Sequence, residues 1–321
     1  MKVSVLIPVY GVERYIAKCA VSLFNQTYED IEYIFVDDCT PDHSIEVLQD
    51  VLHQYPQRQQ QVTILHHKQN KGLGAARLTA LQTATGDYVM HVDSDDELPR
   101  DAVALLAAKA VETNSDIIDG GYAMMCHEKL ISKHLPYAGT HQQYLKLLLC
   151  QNIVFSMVWA RLYRRTIYTE RQILPVPGID YAEDLGLIPR LVFYASRSVV
   201  NAVVYYYRDD NATSYTNAIM SDKAKRSFLR ANALIHDFYR QNDTQGLYDY
   251  ALQQGYIHVL RMARRNGIPM QMVDEQCPYK LTNGAAKFVA TLMRSSCPLG
   301  IASLLYRCIR KIYEFKVRLF S

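Results

Sequence analysis

The sequence predicts an α/β fold built on a mostly parallel central sheet, and three observations carry that prediction. Short β-branched runs alternate with stretches of helical spacing through the first 92 residues. Acidic residues crowd immediately after two of those runs. A glycine loop opens one of the intervening helices. Taken in order, Val3–Val9 is an apolar run broken by Pro8 and Gly11, the mark of a buried strand. Residues 12–26 place Ile16, Ala20, Leu23 and Phe24 on one helical face. A second strand over 31–36 runs into Asp37-Asp38-Cys39-Thr40, and a helix over 44–55 leads to a third strand at 62–65. Asn70-Lys71-Gly72-Leu73-Gly74-Ala75-Ala76-Arg77 then opens a third helix, and a strand over 86–92 ends in Asp93-Ser94-Asp95-Asp96. Uninterrupted strand–helix alternation implies parallel pairing through right-handed crossovers.

At 321 residues the chain is long enough for a main domain and a smaller lobe. Hydrophobic residues at 49% and charged residues at 21% suit a globular protein with a sizeable core. A formal net charge of +3 is too small to argue for nucleic acid. The seven cysteines are scattered without a Cys-x-x-Cys pair, which favours reduced thiols over disulfides or a zinc site. No secretory leader pattern opens the chain and no apolar run is long enough for a bilayer, so a cytoplasmic location is expected.

Strand C-termini of a parallel sheet lie along one edge, where ligands bind in open α/β folds. Asp37 and Asp38 after the second strand, and Asp93, Asp95 and Asp96 after the fourth, therefore converge on one crevice. Carboxylates this close repel unless a cation holds them, and their hard oxygens suit Mg²⁺ or Mn²⁺ shared with substrate phosphates. The alternative is an acidic turn that caps the helix beginning near Pro99. Arg77, in the first turn after the glycine loop, can reach toward an anion or be an ordinary surface cation. The loop lacks the third glycine of a dinucleotide fingerprint and follows the third strand, which argues against a Rossmann dehydrogenase.

These segments together resemble the family 2 glycosyltransferases, whose nucleotide-sugar-binding fold is called GT-A. The matching motifs are Pro8-Val9-Tyr10-Gly11, Val36-Asp37-Asp38-Cys39-Thr40, Asn70 through Arg77, and Gly86-Asp87-Tyr88 with Asp93-Ser94-Asp95. Gly11 and Cys39 depart from the residues usual in the family. The resemblance implies an inverting transferase that moves a sugar from a nucleotide-diphosphate donor, uridine diphosphate by preference, to a hydroxyl of a glycan or lipid-linked acceptor. It implies that Pro8, Tyr10, Asp37, Asp38, Arg77, Asp93, Ser94 and Arg208 bind the nucleotide sugar. Within that set Tyr10 stacks on the base, Asp38 accepts from a base N–H, Asp93 holds the ribose, and Arg77 and Arg208 clamp the diphosphate. Asp95 binds Mn²⁺ or Mg²⁺. Tyr181-Ala182-Glu183-Asp184-Leu185 matches the family's acidic pair before an apolar helix, which makes Asp184 the base and Glu183 its substitute; helix capping is the plainer account of the pair. Tyr207-Arg208 with Thr213-Ser214 resembles a further segment near the diphosphate. A sugar nucleotidyltransferase would need a glycine-rich loop after the first strand, which residues 8–14 lack. A non-catalytic sugar- or nucleotide-binding subunit of a polysaccharide assembly complex would not need the acids that are all present.

Further along, a helix over 102–112 and a strand over 116–123 are expected, and residues 124–140 show no period and read as a loop or insertion. Trp159 either stacks on a sugar or belongs to the core. A further strand is expected over 199–207. The resemblance covers roughly the first 215 residues, giving a transferase domain over 1–215 and a helical region over 216–321. That region ends in a basic amphipathic helix. Ile301, Leu304, Leu305, Cys308, Ile312, Phe315 and Leu319 form its stripe, with Arg307, Arg310, Lys311, Lys316 and Arg318 beside them and Glu314 the one acid from Ile301 on. Beyond a break at Pro298 and Gly300, it is expected either to lie on an anionic membrane surface at the inner face of the plasma membrane or to pack on protein.

Overall fold

The computed structural model describes residues 1–151, 153–210 and 220–320. In chain order its elements begin with β1 (Val3–Val9), α1 (Ile16–Phe24), β2 (Ile31–Asp37), α2 (Ser44–His53), β3 (Val62–His66), α3 (Leu73–Thr83), β4 (Tyr88–His91), α4 (Ala102–Thr113), β5 (Ile117–Cys126) and β6 (Lys129–His134). There follow α5 (His141–Leu149), β7 (Arg161–Arg164), α6 (Thr166–Glu170), α7 (Glu183–Tyr194), β8 (Arg197–Arg208), α8 (Asp222–Asn242), α9 (Asp249–Arg265), α10 (Met270–Gln276), α11 (Gly284–Arg294) and α12 (Leu299–Phe320).

The strands form one mixed sheet in the order β3-β2-β1-β4-β7-β5-β6, with β8 paired to β5. The pairs β3–β2, β2–β1 and β1–β4 are parallel, as is β5–β8, while β7 is antiparallel to both β4 and β5. Every residue of β1 and β4 is buried, as a parallel strand covered on both faces requires. The ends of β2 and β1 are in register, Asp37 against Val9, and Leu6 of β1 pairs with His91 of β4. The two acidic segments therefore leave the same edge of the sheet.

Residues 124–140 are not a structureless loop. β5 runs on to Cys126 and turns back as β6, whose side chains are exposed apart from one half-buried position. A strand with neither face buried carries no alternation, which is why no period was visible. Gly300, expected to break the helix, lies within the first turn of α12, directly after Pro298. A helix start tolerates both, because its first N–H groups have no partner in the helix.

The central crossover is held by a buried charge cluster. Asp119 of β5 is fully buried, with Arg161 of β7 at 3.0 Å and Arg197 at the start of β8 at 2.6 Å. Removing one partner of such a buried pair typically costs about 3–5 kcal/mol, because the remaining charge is stranded. Trp159 is buried, stacked on Tyr205 at 4.5 Å and Tyr207 at 5.5 Å, so its ring is spent on the core.

Two units divide the chain, and they interleave along it. The sheet unit comprises Met1–Pro136, Met157–Asp180 and Tyr194–Asn217; the helical unit comprises Tyr137–Ser156, Tyr181–Phe193 and Ala218–Ser321. In the helical unit Phe228 and Leu229 of α8, Tyr256, Ile257 and Leu260 of α9, and Val289 and Met293 of α11 build one apolar core. Thr140 and Gln143 form a reciprocal capping box at α5, and Ser221 and Asn283 cap α8 and α11. All seven cysteines are free, and among the described residues no helix is long and apolar enough to cross a membrane.

The base of the sheet unit is pinned by Glu32. Burial pushes its carboxyl up, but hydrogen bonds from Lys2, Ser4 and Thr85 outweigh that and hold it at about 2, against an ordinary 4.5. A depressed carboxyl contributes stability that is complete above its unfolded value and is lost as pH falls through the folded one. Urea denaturation should therefore show the wild type losing this contribution between about pH 4.5 and about pH 2. Glu32→Gln should be less stable at pH 7 and show a correspondingly smaller fall over that window.

Candidate active site

The acidic turn after β4 is shaped by β8. Asp96 is buried, accepting from the Arg208 backbone N–H at 2.7 Å and from the Tyr205 hydroxyl at 2.8 Å. The same Tyr205 oxygen accepts from the Asp93 N–H at 3.0 Å, and Glu97 and Tyr206 exchange both backbone hydrogen bonds. Burial, reinforced by Asp95 and Asp93, pushes the Asp96 carboxyl well above the carboxylate range. Beneath the turn lies Cys19, whose thiol is raised by burial and then by Asp96, Asp95, Glu97 and Asp93. These carboxylates act on the thiol in the same direction as its burial. Ser94 is buried, whereas Asp93 and Asp95 are half-exposed.

Arg77 faces the turn from the first turns of α3. Its side chain is 1% exposed, and Nη2 donates to Asp93 Oδ1 at 2.8 Å. The loop ahead of it is built around Asp38. Oδ1 of that buried carboxylate accepts from the Lys71 N–H at 2.8 Å and Oδ2 from the Gly72 N–H at 2.7 Å. Oδ1 also meets His67 Nδ1 at 2.6 Å, and because a carboxylate can only accept, Nδ1 is the protonated nitrogen. His67 Nε2 reaches Thr79 Oγ1 of α3 at 2.9 Å. From the other side Asp180 Oδ1 accepts from the Gly74 N–H at 3.2 Å. Gly72 has φ +89°, and a Cβ there would lie 2.3 Å from Asp180 Oδ1, so only glycine fits.

Asp38, expected at the base of the donor, thus has both oxygens engaged in holding the Gly72 loop. Asp37 accepts from Thr40 N–H at 2.8 Å and from His66 Nδ1 at 2.9 Å. Pro8 is buried in β1, and Tyr10, just past its end, is 49% exposed with its ring available to a planar partner. Arg208 is buried, its guanidinium 2.8 Å from Glu97 and 3.4 Å from Glu128 and Asp210, over the Tyr15 ring. Thr213 and Ser214 lie outside the described residues. In the helical unit Glu183 and Asp184 are half-buried in the first turn of α7. The entry to that helix is fixed by Ser227, whose hydroxyl accepts from the Tyr181 N–H at 2.9 Å and donates to its carbonyl at 2.8 Å. Ala182 follows at φ +61°.

A family model described as "Glycosyl transferase family 2" matches residues 4–171. The chain belongs to this family. It is 31% identical over 220 residues to the "Uncharacterized glycosyltransferase EpsJ" of Bacillus subtilis (strain 168), which covers 65% of this chain and 61% of EpsJ. It is 32% identical over 216 residues to the poly(ribitol-phosphate) beta-glucosyltransferase of Bacillus spizizenii, 64% of this chain and 32% of that protein. The chain therefore spans less than two thirds of either relative. Among solved structures, S. aureus TarS residues 1–349 superposes with a TM-score of 0.67 at 18% identity, covering 97% of this chain and 92% of that one. That likeness establishes the shared GT-A fold.

His67, Asp180 and Tyr205 belong to the site and were not singled out from the sequence. His66, which closes β3, His67 just after it and the aspartate directly before Tyr181-Ala182-Glu183-Asp184 were visible, but nothing local says where their side chains end up. Tyr205 carries only the alternation of a strand.

Among the described residues no group of three or more His, Cys, Asp or Glu is placed to hold a metal ion. A glycosyltransferase of this family does not need such a cage if phosphate oxygens complete the shell. Asp95, half-exposed in the acidic turn between Asp93 and the buried Asp96, is a donor of the right hardness for Mg²⁺ or Mn²⁺.

The commitment of Asp38 to the loop is open to test. Asp38→Ala leaves two backbone N–H groups and His67 without their acceptor, and charge-assisted hydrogen bonds of this kind contribute about 1.5–3 kcal/mol each. Chemical denaturation should show a loss of at least about 2 kcal/mol, while Asp37→Ala, whose partners are more exposed, should lose less than about 1 kcal/mol.

Proposed function

We propose that this glycosyltransferase moves a sugar, with inversion, from a uridine-diphosphate donor to a hydroxyl of a glycan or lipid-linked acceptor in cell-surface polysaccharide synthesis. The observation that carries this proposal is the pairing of Arg77 with Asp93 beside Asp95, on the sheet edge where β1, β2 and β4 all end. Relatives support the chemistry: one is named a poly(ribitol-phosphate) beta-glucosyltransferase, and TarS has been solved with UDP-GlcNAc. A mannosyltransferase of Pyrobaculum calidifontis with a TM-score of 0.51 was solved with GDP-Man and Mn²⁺.

In this proposal Tyr10 stacks on the base beside Pro8, and Asp38, which with Asp37 also keeps the flanking loop in shape, accepts a hydrogen bond from the base N–H. Asp93, oriented by Arg77, takes the ribose, and the Ser94 backbone carries the chain round to Asp95. Asp95 holds Mn²⁺ or Mg²⁺, which when bound supplies Lewis-acid stabilisation to the charge growing on the departing diphosphate. Arg77 adds a preorganised cation of its own, and Arg208, held at the turn by Glu97, is the second clamp on the diphosphate. Asp184 removes the acceptor proton as the hydroxyl attacks the anomeric carbon from the face opposite the leaving group, with Glu183 its neighbour in the same helical turn. A single displacement of this kind inverts the anomeric centre without a covalent enzyme intermediate.

Asp95→Ala should abolish most turnover and the Mn²⁺-dependent gain in UDP affinity while circular dichroism stays unchanged. Calorimetry that finds the same metal dependence in the variant would remove Asp95 from the metal site. Asp184→Asn is nearly isosteric and is no base, so turnover should fall by about 10²–10⁴-fold with donor affinity preserved. Transfer at the wild-type rate would move the base to Glu183.

A further inference from the structure

α12 has two apolar faces, and its own unit covers one. On the inner face Ala302, Tyr306 and Val317 are buried where the helix packs on α5, α9 and α11. Gln143 Nε2 ties down the far end by donating to the carbonyls of Val317 at 3.0 Å and Arg318 at 3.3 Å. On the outer face Ile301, Leu304, Leu305, Ile312, Phe315 and Leu319 are exposed, Phe315 to 63%. At 3.6 residues per turn these six side chains fall in a stripe about 100° wide. It runs from Ile301 to Leu319, close to the whole 22-residue helix.

The charges are arranged about this stripe. Arg307, Lys311 and Arg318 project along one border and Lys316 along the other, all four exposed. Arg310 turns inward, 3.5 Å from the Gln151 carbonyl and over the Tyr306 ring. Glu314 is the one acid on the helix, and Arg318 engages it at 2.9 Å. An apolar stripe edged with cations is complementary to a bilayer surface carrying anionic headgroups, where the apolar side chains enter the acyl boundary and the cations meet phosphates. Pairing two copies through the same stripe would instead set these cations against each other.

We infer that the outer face of α12 docks the protein on an anionic lipid surface, with the helix lying in the interfacial plane. The inference rests on the surface of α12 alone and is independent of the donor chemistry. It also assigns a use to six exposed apolar side chains that the core does not employ.

Flotation of the full chain with vesicles tests it, using phosphatidylcholine alone and phosphatidylcholine with on the order of 30 mol % phosphatidylglycerol. The wild type should float with the anionic vesicles and not with the neutral ones. Binding should weaken as ionic strength rises from about 0.1 to about 0.5 M, because screening shortens the reach of the cations. Lys311→Glu with Lys316→Glu should reduce partitioning by at least about tenfold. Ile312→Ser with Phe315→Ser should reduce it by a similar factor, about tenfold or more, through lost apolar transfer. All four positions are exposed, so thermal melts should stay at the wild-type midpoint, and UDP affinity measured on the same preparations should not change. Equal flotation of wild type and both variants, or no preference for anionic vesicles, overturns the inference. So does a wild type that fails to float yet self-associates by light scattering, with Ile312→Ser and Phe315→Ser restoring the monomer: the stripe is then an interface between copies. A wild type that floats as expected but binds no UDP counts against the donor proposal only.

Discussion

The acidic turn keeps its shape because a buried carboxyl group, that of Asp96, is hydrogen-bonded by a strand more than a hundred residues away. Burying a carboxylate is unfavourable unless donors meet it. Here the donors are the Arg208 N–H and the Tyr205 hydroxyl at the far end of β8, and the Glu97–Tyr206 backbone exchange locks the same register. Asp93 and Asp95 take their positions from this attachment. The turn is therefore a property of the completed sheet, because β8 reaches it only by pairing with β5, and β5 is itself anchored through Asp119 to Arg161 and Arg197.

A second carboxylate does comparable work on the loop. Asp38 gathers Lys71, Gly72 and His67, and Asp180 closes on Gly74 from the opposite side. Between these two acids the backbone has no room for a side chain at Gly72, and α3 starts in one place with Arg77 aimed at Asp93. Pre-positioning of this kind spares the reorganisation that would otherwise accompany ligand binding.

What could be read from the chain follows from what is local. The first four strands and three helices of the alternation were legible because two-sided burial writes continuous apolar runs and amphipathic helices write a period. The acids at the ends of β2 and β4, and the glycines before Arg77, were legible as residue types in place. Their division of labour was not. That Asp38 holds a loop, that Asp96 is buried while Asp95 is not, and that Arg208 sits among Glu97, Glu128 and Asp210 all depend on contacts distant in sequence. β6 was missed because an edge strand with exposed faces has no pattern to show. The excursions of 137–156 and 181–193 into the helical unit left no compositional mark either, since their apolar residues serve one core as well as another.

The thiol beneath the acidic turn has a chemical consequence of its own. Cys19 is sealed by packing and surrounded by carboxylates that disfavour its thiolate, and the thiolate is the form that electrophiles and oxidants attack. Cys39, by contrast, stands exposed at φ +58° on the loop after β2. The sheet unit thus contains a quiet sulfur beneath one acidic segment and an accessible one within the other. The slow alkylation of the first, timed against the fast alkylation of the second, becomes a clock for how often the floor of the turn opens.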